Sequence, residues 1–214
     1  MDDEESRRLV LSVNRAALQK FAGIISLFRR SNCDIKLIMI PTTKEDGLNG
    51  LLDQKVDVVI SSKETNEQFD KKLEFINCID YIPYWLLWKG HPLENKSQLT
   101  KDDILKSDLV FNKDWISANS LKNFISTYNI SSSVEISEYG VENIKNLIKN
   151  KFGIWLIFSA FLTEEDKKYF IFKNAENLFP KGQYGFFVNK IKKDAVKRFL
   201  TFVEENKEIL DLKL

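Results

Sequence analysis

Leu9-Val10-Leu11-Ser12-Val13-Asn14-Arg15-Ala16-Ala17 reads as a short buried strand that runs directly into a helix. The Leu and Val residues suit a pleated, covered segment, and the Asn14 side chain can cap the helix that follows. Ala17, Phe21, Ile24 and Phe28 recur at spacings of four, three and four, which places them on one stripe of that helix. Asp34 to Ile40 is a near-continuous apolar run ended by Pro41 and the polar pair Thr42-Thr43. Such a run predicts a strand covered on both faces, as in a parallel sheet. Leu48, Leu51 and Leu52 mark a second helix, and Val56 to Ile60 a third strand. Strand, helix, strand, helix, strand is the order of an open α/β layer.

Working outward, Leu73 to Asn77 and Tyr84 to Trp88 look extended, the second followed by the turn-forming Gly90-His91-Pro92. A second series then begins. Leu109 to Phe111 reads as a strand, Asn119 to Tyr128 as a helix and Val134 to Ile136 as a strand. Val141 to Lys149 reads as a helix with Val141, Ile144, Leu147 and Ile148 inward, and Gly153 to Ile157 as a strand. Lys168 to Phe172 and Gly185 to Val188 are extended, and a last helix from about Asp194 carries Val196, Phe199, Leu200 and Val203 on its apolar stripe. The two series share a plan, and the final strand and helix could belong to either.

With 214 residues, 43% of them hydrophobic and 29% charged, the chain can bury a real core as one large domain or two small lobes. Thirty-two basic residues against thirty-one acidic ones give a net charge of +1, which removes the electrostatic reason to expect nucleic acid on this segment. Cys33, Cys78 and the lone His91 cannot supply four zinc ligands, so no metal and no cofactor is expected. Both thiols read as small buried hydrophobes of a reducing cytoplasm, and His91 as part of a solvent-side turn. The start, Met1 to Arg8, has no apolar core of a signal peptide, and the apolar run from Gly153 to Leu162 is too short to span a bilayer.

Several segments together resemble the effector-binding domain of LysR-type transcriptional regulators. Leu51-Leu52-Asp53-Gln54-Lys55-Val56-Asp57-Val58-Val59-Ile60 is similar to the family's segment of leucine, turn, leucine-aspartate and apolar run. Leu86-Leu87-Trp88-Lys89-Gly90-His91-Pro92-Leu93 matches its apolar strand followed by His-Pro-Leu, and Leu99 to Ile104 looks like the short helix after it. Ile148 to Ile157, with Phe152-Gly153-Ile154, resembles the helix-to-strand turn late in the second lobe. Three residues depart from the pattern. Gln54 and Lys151 stand where glycines are usual, and Phe158 where proline is common. The first two can fill their turns at about 1 kcal/mol if φ stays negative.

The resemblance, from about Leu9 to about Leu210, implies an α/β fold of two Rossmann-like lobes joined by two crossover strands, type II periplasmic-binding-protein-like. Lobe one would be 9–87 plus 185–214 and lobe two 88–184, with 1–8 a stub of a linker helix or disordered. A small anionic metabolite would bind in the cleft between lobes and shift their arrangement. The bacterial cytoplasmic regulator would be a homodimer, or a tetramer at full length. It would reach DNA only through a winged helix-turn-helix missing from this chain, and would touch no membrane.

In open α/β sheets ligands gather beyond the carboxyl ends of strands, where helix N-termini favour anions. The candidate ligand-binding residues there are Asn14, Arg15, Thr42, Thr43, Ser61 and Ser62 in lobe one, and Asn112, Trp115, Tyr139 and Ser159 in lobe two. Each has a plainer reading. Asn14 is also a cap, Arg15 a surface ion-pair partner, Thr42 and Thr43 turn residues, and Trp115 a packing residue. No catalytic residue is nominated. One histidine in a proline turn does not make a triad, and GxGxxG, GxxxxGK[ST] and HExxH are all missing. Asp102-Asp103 and Glu164-Glu165-Asp166 sit in polar stretches and read as solvated. The competing functions are a stand-alone solute-binding protein of a transporter and, behind it, an enzyme on the same fold such as a prephenate dehydratase, whose Thr-Arg-Asp/Phe motif is not found.

Overall fold

The computed structural model describes residues 6–64, 67–112, 118–130, 133–136 and 140–210. The chain divides into two compact units, the first built from 1–80 and 183–213, the second from 81–182.

In the first unit, β1 (Arg8–Val13), β2 (Lys36–Pro41), β3 (Val58–Glu64), β4 (Leu73–Tyr81) and β10 (Gly182–Asn189) form a sheet in the order β2-β1-β3-β10-β4. β1 runs parallel to both β2 and β3, with Val13 level with Pro41 on one side and Ile60 on the other. Between these strands come α1 (Arg15–Ser31) and α2 (Lys44–Leu52), and α6 (Asp194–Glu205) follows β10. The stripe read from α1 is the one it buries, since Ala17, Phe21, Ile24 and Phe28 are all fully covered. Phe28 meets Phe199 of α6 edge-on at 5.1 Å, and Phe199 meets Phe186 of β10 at 5.2 Å, so one aromatic chain ties α1, α6 and the sheet. α2 packs on the opposite face, where Leu51 joins Val10, Val59 and Phe187. The expectation that β2 is covered on both faces is corrected. β2 is one of the sheet's two outer strands, none of its residues is fully buried, and Met39 is 48% exposed. A run of apolar residues cannot by itself tell a central strand from an edge one.

In the second unit, β5 (Pro83–Trp88), β6 (Leu109–Asn112), β7 (Ser133–Ile136), β8 (Ile154–Phe158) and β9 (Phe170–Asn174) form a sheet in the order β7-β6-β8-β5-β9. Its helices are α3 (Lys101–Leu105), α4 (Ala118–Thr127) and α5 (Val141–Lys149). β6 is parallel to β7 and β8, while β5 is antiparallel to β8 and β9. β5 therefore belongs to this unit, which runs from Tyr81 to Gly182. Trp85 of β5 is fully buried against Phe179, at 5.5 Å between ring centres, within a core that includes Ile104, Leu121 and Leu156. α3 opens with a capping box between Thr100 and Asp103. Hydrogen bonds from Lys96 and Thr100 hold the Asp103 carboxyl at about 2, so this aspartate is committed to the helix start.

Three further sequence readings are corrected. Residues Glu164–Lys168 form a 3-10 turn, so the strand read from Lys168 begins at Phe170, and Asp166 is buried, not solvated. Cys33 is exposed, whereas Cys78 is half-buried and its thiol is pushed up to about 12 by that burial. His91 lies 9% exposed, with Nδ1 accepting the Leu93 N–H at 3.0 Å and its ring against Trp88. Burial lowers its pKa.

The glycine substitutions noted in the sequence carry strain. Gln54 has φ 59° and Lys151 has φ 64°, not the negative values that would make the replacement easy. Each follows a helix as the left-handed residue of a paired cap. Gln54 N–H donates to Leu51 O and Lys55 N–H to Gly50 O after α2, and Lys151 N–H donates to Ile148 O and Phe152 N–H to Leu147 O after α5. A side chain in this region costs about 1–2 kcal/mol, which the paired cap bonds offset.

Candidate functional site

The carboxyl ends of β1 and β2 lie side by side next to the middle of β3, because Val13, Pro41 and Ile60 occupy one level of the parallel ladder. The strand read from Val56 to Ile60 runs on to Glu64, so Ser61 and Ser62 lie within it and not beyond its end. The next residues, Asn14, Thr42 and Ser61, therefore form a row at one end of the sheet. α1 starts here, and so does α2. Gly47 lets α2 sit this close, since a Cβ there would lie 2.5 Å from Ser12 Oγ and 3.1 Å from Val59.

Most polar side chains in this row are already engaged. Asn14 Oδ1 accepts the Ala17 N–H at 2.8 Å as the cap of α1. Thr43 Oγ1 accepts the Asp46 N–H at 3.1 Å and donates to the Asp46 carboxylate at 2.8 Å. Thr42 shares a short hydrogen bond with Ser12. Lys44, the first residue of α2, pairs with Glu67 and lies 5.1 Å above the Phe187 ring, and burial lowers its pKa. Ser12 and Lys44 were not nominated from the sequence, where one sits inside an apolar strand and the other resembles any surface lysine.

Ser61 and Ser62 differ from the rest. Both are buried, at 1% and 0% exposure, and neither hydroxyl has a hydrogen-bond partner among the described residues. Successive strand residues alternate faces, so Ser61 lies with Val59 on the α2 side and Ser62 on the side that α1 covers. A buried hydroxyl left unsatisfied costs about 1–3 kcal/mol. The field here favours a negative group. α1 spans 17 residues with no acidic residue in its first turn, so the positive end of its macrodipole is uncompensated, whereas α2 carries Glu45 and Asp46 there.

In the second unit Ser159 is held in the backbone. Its Oγ accepts the Ile82 N–H at 3.0 Å, and its own N–H donates to Ile82 O at 2.9 Å. Phe158 is buried and packs against Tyr81, with ring centres 4.1 Å apart and the planes tilted by 41°. Trp115 and Tyr139 lie outside the described residues, as do the side chains of Arg15 and Asn112, although Arg15 opens α1 and Asn112 ends β6. Among the described residues no group of three or more His, Cys, Asp or Glu is placed to hold a metal ion, and no helix is long and apolar enough to cross a membrane.

The sequence pattern of the LysR substrate binding domain matches residues 2–207. The sequence matches none of the curated proteins. Among solved structures, the chain is similar to the regulatory domain of MetR, a LysR family regulator from N. meningitidis, with 16% identity over 96% of this chain and 93% of that one and a TM-score of 0.75. It is also similar to a reduced form of OxyR from N. meningitidis, with 12% identity, 92% and 94% coverage and a TM-score of 0.70. HinK, a LysR family transcriptional regulator from Pseudomonas aeruginosa, shares 14% identity over 94% of this chain and 69% of that one, with a TM-score of 0.69.

Proposed function

This chain belongs to the LysR substrate binding domain family and is the effector-sensing domain of a LysR-type regulator, and from that premise we propose that its first unit holds the anionic group of a small-molecule effector at Ser61 and Ser62. Its two α/β sheets carry the two-lobe, type II periplasmic-binding-protein-like fold of such regulatory domains. The family is one of regulators rather than enzymes. A protein that acts on DNA works where the DNA is, so the bacterial cytoplasm is its place in this reading.

The observation that carries the site is the buried, unpartnered Ser62 hydroxyl on the side that α1 covers with its uncompensated start, together with the unpartnered Ser61 hydroxyl on the α2 side. A hydrogen bond to a charged group contributes about 1.5–3 kcal/mol, so loss of one donor is expected to weaken binding about tenfold or more. The test is isothermal titration of the chain and of Ser61→Ala and Ser62→Ala with a panel of small mono- and dicarboxylates. Both substitutions should leave the free chain as stable as before or more so, since each removes an unsatisfied hydroxyl, while weakening the carboxylate that binds. Thr42→Ala is a contrasting control, because it strands the Ser12 hydroxyl and should lower stability. Unchanged affinity in both serine variants would remove these residues from the site.

LysR-family regulatory domains are oligomeric. The side-by-side dimer we propose uses the helix and outer strand that each unit presents, α1 with β2 and α4 with β7. Met39 on β2 and Val134 on β7 are 48% and 36% exposed, on the free edges of the two sheets. Met39→Glu is expected to raise the dimer dissociation constant about tenfold or more in sedimentation velocity. A dimer of unaltered strength would exclude β2 from the interface.

A further inference from the structure

At the end of the second sheet opposite the β6 and β8 carboxyl ends, the structure gathers three lysines and two exposed rings. β5 ends at Trp88, which pairs with Phe170 of β9. On its other side Leu86 pairs with Trp155, and continuing that antiparallel register brings the residues just before β8 level with the end of β5. Lys89, Tyr169 and Phe152 therefore emerge from neighbouring strands at one end of the sheet, and Lys89 N–H donates to Tyr169 O at 3.2 Å. Lys149 and Lys151 come from the last turn and cap of α5, and Lys149 Nζ stands 3.6 Å from the centre of the Tyr169 ring.

Phe152 and Tyr169 are 47% and 42% exposed, among the largest apolar exposures of the described residues. Lys89, Lys149 and Lys151 are exposed and have no carboxylate within 4.0 Å among the described residues. Asp108 is exposed beside Gly153 without an ion pair to these lysines among the described residues, and the other acids of these segments are engaged elsewhere. Glu164 and Glu165 pair with Lys167 and Lys168, Glu142 reaches Lys145, and Glu94 accepts the Gly90 N–H. What is left is a positive surface with an apolar centre. Part of it serves the helix end, since lysine near a C-terminus suits the macrodipole. That account covers neither Lys89 nor the two rings.

We propose that this surface docks an acidic peptide segment bearing an aromatic or branched apolar side chain, with carboxylates on Lys89, Lys149 and Lys151 and the apolar residue on Phe152. Charge complementarity selects a polyanion, and the rings decide which kind. The Tyr169 ring already carries an ammonium group on one face, so a row of bases does not find the run of open rings that single-stranded nucleic acid uses. An apolar side chain on Phe152 flanked by carboxylates fits what is present. The site is separate from the serine hydroxyls of the first unit and does not depend on effector binding.

Fluorescence anisotropy on the full chain tests this with three labelled probes: a peptide of Glu and Asp interrupted by Phe, the same peptide with Ser for Phe, and single-stranded DNA of equal charge. The Phe peptide should bind saturably and more tightly than the other two. Lys149→Gln with Lys151→Gln should weaken it about tenfold or more, and Phe152→Ser should erase its advantage over the Ser peptide. Lys89→Gln, in a loop outside α5, should weaken it in the same direction and guards against a loosened helix end, with circular dichroism confirming each fold. Equal affinity for the Ser peptide, tighter binding of the DNA, or no saturable peptide binding would each overturn the proposal.

Discussion

Replacing Gly185 with alanine is expected to destabilise the first unit by about 3 kcal/mol, at the upper end of what overpacking does in a well-filled interior. The reason is local. A Cβ at this position would lie 2.0 Å from the Ile76 carbonyl oxygen and 3.0 Å from the Phe75 ring. No rotamer change relieves a clash with backbone, so β4 must move away from β10. β4 is an outer strand of its sheet, which lets it shift but at the loss of ladder hydrogen bonds. Phe187 would feel the same displacement, since it packs on Phe75 at 4.7 Å between ring centres. Denaturant titration followed by far-ultraviolet circular dichroism measures the effect. A variant within about 0.5 kcal/mol of the wild type would mean that the β4–β10 approach is looser than described.

The second large effect is expected at Lys145. Its side chain is 5% exposed and its ammonium group donates to Asp166 at 2.7 Å, with the more exposed Glu142 at 3.1 Å. The same Asp166 oxygen accepts the Thr163 N–H at 2.8 Å, so one carboxylate ties α5 to the cap of the following 3-10 turn. Lys145→Met keeps the apolar stem and removes the charge, leaving a buried carboxylate with only neutral donors. Breaking a buried pair in this way costs about 3–5 kcal/mol. Asp166→Asn should cost less, because the amide oxygen still accepts from Thr163 and Glu142 remains beside the lysine. Tryptophan fluorescence reads this transition selectively, as Trp85, Trp88, Trp115 and Trp155 all lie in the second unit. Equal costs for the two single variants would show that the cap, and not the charge pair, dominates.

The first of these residues illustrates what a sequence conceals. Gly185 sits in an extended run between Tyr184 and Phe186 and reads like any strand glycine. Its necessity comes from Ile76, more than a hundred residues away along the chain. Lys145 lies beside Ile144, one of four residues read as the inward stripe of α5, and a helical period cannot say that a lysine joins them. Asp166 reads as solvated beside its charged neighbours Glu164 and Glu165 for the same reason. A polar stretch carries no information about a cation that folds over it.

The candidate site divides along the same line. Strand-end positions are legible for β1 and β2 because a strand followed by a helix must place its last residues at the sheet's carboxyl end, whereas β3 runs on to Glu64 and into β4. Asn14, Arg15, Thr42, Thr43, Ser61 and Ser62 come together on that ground. It could not rank them, since the ranking rests on which side chains the fold has already used. Asn14 and Thr43 are spent on caps and Thr42 on Ser12, whereas Ser61 and Ser62 are not.

By itself the sequence determined the alternation of strands and helices, the apolar stripes of α1 and α6 and the family, because periodicity and short motifs are properties of neighbouring residues. The tertiary structure alone decided that β2 is an outer strand, that β5 joins the second sheet, that Gln54 and Lys151 take left-handed backbone, and which serine hydroxyls are buried without a partner. Each of these depends on contacts between segments far apart in the chain, where burial and hydrogen-bond partners are set by the fold and not by the residues on either side.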